Sequence, residues 1–297
     1  MKQNHLIPIW FQQIRGPFLI LSIVLVFIGF AAARQAGHTH TLWTILIFTG
    51  VVLAHASVNL FNEISDFKTG IDSRTRRTPF SGGSGMMQAG RTSLRSVTVA
   101  AYGSLLASAA IGLYLCIASG WILLPFILAG GLAIRFYTSH LARLMIGELV
   151  SGLTLGTSVV LGTYAALTGS LSAEIIYISI PPGILTALLL FLNEFPDAEA
   201  DATGGRRHLV IHFGRAKSSR IYAGSLVIVY ALILAAPLLF QIPVSILLAL
   251  LTLPLALKAV GIARKHHDDT AALIPALGLN VGVVILTDLL LGVGYLL

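Results

Sequence analysis

Residues 58–72 read VNLFNEISDFKTGID and close an apolar run that begins near position 42. Two asparagines, a glutamate and two aspartates crowd this end of the run. Charged side chains inside hydrocarbon are costly and generally serve a purpose. On a helix, Asn59, Asn62 and Asp66 stand at i, i+3 and i+7 and share one face. Gly70 is placed to end that helix in a left-handed cap. Asp72, off the face if the helix went on, then hangs from the turn after Gly70 and folds back toward the same site. A second stretch, FLNEFPDAEAD at 191–201, has the same character. Asn193, Asp197 and Asp201 recur every four residues on one face, while Glu194 and Glu199 point elsewhere. Pro196 cannot donate its amide and is expected to kink or break this helix. Gly204 and Gly205 open a loop that continues as Arg206-Arg207-His208.

The surroundings of the two stretches decide the fold class. Of 297 residues, 56% are hydrophobic and only 10% charged, with a mean hydropathy of +0.88. Soluble domains carry about 25% charged residues, so this composition belongs to an integral membrane protein. Windows of about 20 apolar residues predict nine spans, near 17–36, 42–64, 94–118, 121–140, 147–168, 173–193, 220–241, 243–263 and 271–296. The expectation is an all-α, polytopic bundle of nine transmembrane helices forming one domain over 1–297. The first span reads as a helix rather than a cleaved signal, because its apolar run is nearer to a span than to a signal core. The glycine-rich GELVSGLTLGTSVVLG at 147–162 suits close helix packing.

With nine spans, eighteen of the nineteen lysines and arginines fall on one side, and only Arg34 faces the other. The positive-inside rule then puts the N-terminus and both Asn/Asp stretches in the cytoplasm, with the plasma (inner) membrane as the expected location. The net charge of +7 sits in inter-helix loops, so it points to the lipid bilayer's negative face and to anionic substrates, not to nucleic acid. The lone cysteine, Cys116, lies in an apolar helix, which excludes an internal disulfide or a cysteine-zinc site.

Two amide-plus-carboxylate clusters at cytoplasmic helix ends, each followed by arginines, match a particular chemistry. Mg2+ takes oxygen ligands and is commonly held by carboxylates together with substrate phosphates. Facing clusters can hold Mg2+ that bridges a diphosphate, while arginines offer forked donors to the remaining phosphate oxygens. The loop SRTRRTPFSGGSGMMQAGR at 73–91 carries SGGSG, which can present amides to an anion or act as a lid.

These residues resemble the UbiA superfamily of intramembrane prenyltransferases, which has nine helices and two aspartate-rich motifs after the second and sixth. NEISDFKTGID resembles the first motif through Asn62, Asp66 and Asp72, with the spacing of the 1,4-dihydroxy-2-naphthoate prenyltransferase branch. NEFPDAEADATGGRRHL resembles the second through Asn193, Asp197 and Asp201. YTSHLARLMIGELVSGLTLG resembles the same branch more loosely, through Tyr137, Glu148 and Gly156. There are departures: Arg206 stands where the family often has lysine, His208 replaces a threonine, and a Tyr-to-Lys pattern survives only as Tyr137 with Arg143. The resemblance implies transfer of a polyprenyl group from its diphosphate to a small, usually aromatic acceptor, as in quinone (menaquinone-type) biosynthesis. It implies Mg2+ on Asp66, Asp72, Asp197 and Asp201, completed by Asn62 and Asn193. Asn59, Asn62, Arg77, Asn193, Arg206, Arg207 and Tyr137 would contact substrate.

Other readings stay open at this level. An ion-coupled transporter would also repeat NxxxD at helix ends beside a broken helix, although carriers place such sites nearer the midplane. Prenyl transfer to a non-aromatic lipid head group is a second alternative. His55 is divided between packing and acceptor contact. Asn280 and Asp288 read as helix-to-helix hydrogen bonds or lipid-edge residues, and RKHHDDT at 264–270 as a solvated turn. Acceptor, prenyl length and oligomeric state are not legible.

Overall fold

The structure is a computed structural model and describes residues 6–71, 75, 77–138 and 140–297. Among these residues, eight helices are long and apolar enough to cross a membrane: α1 (Gly16–Gln35), α2 (Thr41–Thr69), α3 (Leu94–Ser119), α5 (Gly147–Thr168), α6 (Ala173–Thr203), α7 (Arg215–Leu239), α8 (Val244–Lys265) and α9 (Thr270–Leu296). The ninth expected span is the shorter helix α4 (Trp121–Phe136). At 1.5 Å per residue α4 is about 24 Å long, less than a hydrocarbon core of about 30 Å. Past Phe136 the expected span is not helical at Tyr137 and Thr138, and the Thr138 hydroxyl donates to Asn62; beyond the expected span, the Ala142 carbonyl accepts from the Arg207 amide. The segment after α4 thus contacts both polar stretches.

The exterior of the bundle is apolar. Leu106, Ile117, Val227, Leu238 and Leu251 are among the large hydrophobic side chains turned outward. A soluble protein does not tolerate such a surface, whereas lipid does. The chain is an integral, multi-pass membrane protein. Cys116 is buried in the apolar core.

α6 runs through the middle, packed against α5, α7 and α9. The approach to α5 depends on glycine: a Cβ at Gly156 would stand 2.6 Å from the Gly183 Cα, and one at Gly183 would stand 2.2 Å from the Thr157 hydroxyl. Gly152–Thr157 is π-helical, a distortion frequent at functional sites. Gly183→Leu would force this contact apart. The expected cost is about 1–3 kcal/mol or more, visible as a lowered melting temperature in detergent.

Pro196 does not break α6, whose α-helical part runs from Ile180 to Thr203. Its missing amide removes one intrahelical bond, and in the same turn the Arg215 Nε donates to the Phe195 carbonyl at 2.9 Å. Asn280 does join helices: its side chain accepts from the Tyr222 hydroxyl at 2.9 Å and donates to the Leu188 carbonyl at 3.0 Å. Asp288 is wholly buried, with no hydrogen-bond partner for either carboxyl oxygen, so it does not sit at the lipid edge. Asp269 caps α9 by accepting from the Ala271 and Ala272 amides.

Candidate active site

The two polar stretches meet at one end of the bundle. α2 ends at Gly70 with φ of 72°, the left-handed cap expected of that glycine. This keeps Asn59, Asn62 and Asp66 on the helix itself, on a face turned inward. Asp72 lies outside the described residues. From α6 come Asn193, Asp197 and Asp201. Asn62, Asp66, Asn193, Asp197, Asp201, Tyr137, Arg206 and Arg207 all line one polar cavity of about 120 Å³.

Arg206 joins the stretches. One guanidinium nitrogen is bonded to Asp66 of α2, and another donates to Asp201 of α6 at 3.0 Å. Burial alone would lower its pKa, but the two carboxylates more than offset this and hold it above the ordinary arginine value. Two separate nitrogens of one planar fork reach the two partners, where a lysine would offer a single nitrogen. Arg207 is exposed at the rim, its amide bonded to Ala142. Burial, with the Glu194 carboxylate nearby, pushes the Tyr137 phenol above its usual range. It stays protonated and available as a donor.

The donor set suits Mg2+. Asn193 Oδ1 and Asp197 Oδ1 are buried and without a hydrogen-bond partner, and with Asn62, Asp66 and Asp201 they make an oxygen-only group. Two expected residues stand apart. The Asn59 amide donates to the Ile14 carbonyl at 2.9 Å and faces the neighbouring apolar cavity. Arg77 lines neither cavity: its Nε donates to the Gly82 carbonyl and its guanidinium lies against Gly85.

A second cavity of about 340 Å³ opens beside the polar one, and both share Arg15, Asn62, Phe80, Tyr137, Leu190 and Asn193. Beyond that rim its walls are mainly apolar, among them Val51, Ile127 and Leu155. His55 lines it, with Nδ1 2.9 Å from the Ser22 hydroxyl. A compact polar head site therefore leads into an apolar channel among the spans.

Comparison with known proteins settles the family. Residues 22–280 match the model of the UbiA prenyltransferase family. The chain belongs to that family. This UbiA member is therefore a prenyltransferase, and ion-coupled transport is set aside. It is 25% identical to the 2-carboxy-1,4-naphthoquinone phytyltransferase of Synechocystis, over 97% of this chain and 92% of that one. It is 29% identical to the 1,4-dihydroxy-2-naphthoate octaprenyltransferase of Bacillus subtilis, over 75% and 71%. A solved UbiA homologue from Aeropyrum pernix shares the fold with a TM-score of 0.72 at 18% identity, over 94% and 96%. Another, from Archaeoglobus fulgidus bound to DMAPP and Mg2+, has a TM-score of 0.65 at 13% identity, over 96% and 99%.

The UbiA site also contains residues that sequence reading did not select. Glu63 is wholly buried and accepts four hydrogen bonds: from Gln13 Nε2 at 3.2 Å, Arg15 Nε at 3.0 Å, the Ser84 amide at 2.8 Å and the Ser84 hydroxyl at 2.5 Å. The SGGSG loop, with positive φ at Gly82, Gly83 and Gly85, does present an amide to an anion. That anion is the protein's own Glu63 carboxylate. Arg15 lies against the polar cavity, although in sequence it reads only as a topological charge. Glu194 is the other correction: it is buried and faces the polar cavity, whereas Glu199 is exposed and pairs with Arg215. No local pattern signals Glu63 or Arg15, since their partners lie 48 residues apart in the chain.

Proposed function

We propose that this prenyltransferase moves a polyprenyl group from its diphosphate to a small aromatic acceptor of the 1,4-dihydroxy-2-naphthoate type, with Mg2+ as cofactor. The observation that carries the reading is the junction of Asp66 and Asp201 through Arg206 at the mouth of an apolar channel. The named substrates of the Synechocystis and Bacillus relatives support the acceptor class. The Archaeoglobus relative bound to DMAPP and Mg2+ supports the donor and the ion.

In this reading Asp66, Asp72, Asp197 and Asp201 hold the metal, with Asn62 and Asn193 completing its oxygen ligands. Mg2+, when bound, neutralises the diphosphate and stabilises it as a leaving group. Arg206 keeps the two helices' carboxylates in register and, with Arg207, offers donors to phosphate oxygens where charge builds as the C–O bond breaks. Tyr137 donates at the rim shared by the two cavities. The prenyl chain lies in the apolar channel, where water is excluded from the allylic cation, and an electron-rich ring carbon of the acceptor bonds to that cation and then gives up the proton or carboxyl group it carried, which restores the ring. The polar end faces the cytoplasm, by the distribution of lysine and arginine.

The test uses purified protein, a labelled prenyl diphosphate and a panel of naphthoate, benzoate and glycerol-phosphate acceptors, read by mass spectrometry. A prenylated naphthoate is expected, lost with EDTA and restored by Mg2+. Prenylation of glycerol phosphate alone would overturn the acceptor class. The channel makes a further prediction. Gly131 lines it, and a Cβ there would meet open space. Gly131→Phe is expected to fold and to shift preference toward shorter prenyl diphosphates, measured as competing product ratios.

A further inference from the structure

We infer that Glu148, Glu194 and His208 form a second cation site, for a borderline divalent metal such as Zn2+, in the wall of the same polar cavity, beside the oxygen ligands of the aspartate stretches. They come from three places in the chain: the first turn of α5, the middle of the second polar stretch, and the cap of the short helix Leu209–Phe213. All are more than nine-tenths buried, at 4%, 8% and 4% exposure. One potential ligand atom from each lies within 4.8 Å of the others.

Two buried carboxyl oxygens in this group, Glu148 Oε2 and Glu194 Oε2, accept no hydrogen bond from an N–H or hydroxyl donor. Two carboxyl groups side by side in a buried place hold either a shared proton or a cation between them, and the Arg206 guanidinium is already engaged by Asp66 and Asp201. Glu148 is held in place through its other oxygen, which accepts from the Leu209 amide at 2.8 Å. Glu194 Oε2 is 3.5 Å from His208 Nδ1, close to the roughly 3.4 Å between neighbouring ligands of a tetrahedral zinc. The Ile211 amide, 3.4 Å from the same nitrogen, is the weak contact a metal would replace. With Nδ1 on the metal, Nε2 carries the proton and faces Asp201 Oδ2 at 3.4 Å. A ligand histidine commonly donates its other ring nitrogen to a carboxylate in this way.

The imidazole separates this site from the first. Mg2+ selects oxygen, whereas imidazole suits zinc and its neighbours. A bound metal would tie α5, α6 and the turn before the short helix together beside Asp201, which makes this a structural and positioning site. The inference does not depend on the acceptor proposed above.

Co2+ serves as the spectroscopic probe, added to EDTA-stripped, detergent-purified protein up to one equivalent. The expected result is one site with visible d–d absorption, displaced by Zn2+ and resistant to a large excess of Mg2+. Glu148→Gln keeps an oxygen for the Leu209 amide, and His208→Asn keeps a cap for the Ile211 amide. Each is expected to weaken Co2+ binding by at least about 100-fold, while Asp66→Asn leaves it unchanged. The absence of a Mg2+-resistant site in the wild type would overturn the inference. So would full affinity in both ligand variants, which would place the metal on other histidines, or loss of the site in Asp66→Asn.

Discussion

Replacing Asp197 with alanine is expected to abolish prenyl transfer, lowering turnover by at least about 10³-fold, or roughly 4 kcal/mol of transition-state stabilisation. Asp197 Oδ1 is buried at the polar cavity with no protein partner, so a ligand rather than the fold is the natural occupant of that oxygen. Its carboxylate also shares the site with that of Asp201, and removing it relieves like-charge repulsion. The variant is therefore expected to keep its melting temperature and elution volume while losing product. Near-wild-type turnover in Asp197→Ala would remove the second polar stretch from the mechanism.

Glu63→Ala is expected to produce the largest loss of stability, about 3–5 kcal/mol. One buried carboxylate ties together Arg15 and Gln13 before α1, α2 itself, and Ser84 of the glycine-rich loop. Without it, the Arg15 guanidinium and the Ser84 amide lose their acceptor together. A lowered melting temperature in detergent and faster proteolysis within residues 81–85 would report this. Glu63→Gln, which keeps an acceptor oxygen and drops the charge, should recover part of the loss. Equal stability of Glu63→Ala and wild type would show that the loop is held by other contacts.

Much of the bundle was legible because lipid imposes a simple rule. A span must be long, apolar and internally hydrogen-bonded, and the boundaries of α1, α3, α5 and α9 follow from that. The rule fails at α4, where the helix stops at Phe136 and Thr138 bonds Asn62 instead of extending the span. It also fails at Pro196, where packing on several sides sustains a helix that local propensity would end.

Helical phase placed Asn62, Asp66, Asn193, Asp197 and Asp201 at one cavity, because residues on a single face need only one partner surface. Glu194 escaped that reasoning. It lies one residue off the face, yet α6 is enclosed by α5 on one side and the His208 segment on another, so a second face is buried as well. Glu63 and Arg15 were illegible for a different reason. Their bond joins segments brought together only by the closed bundle. Arg77 shows the converse: its place beside the motif suggested a phosphate contact, but the loop turns its guanidinium onto Gly82 and Gly85.

In the proposed mechanism both aspartate stretches hold one metal-bound diphosphate at the mouth of the apolar channel. A structure of the protein with Mg2+ and an unreactive prenyl thiodiphosphate tests it most directly. The diphosphate is expected between Asp66 and Asp197, with the prenyl chain in the channel past Val51, Ile127 and Leu155. A diphosphate bound away from either stretch, or a chain lying on the lipid-facing exterior, would contradict it.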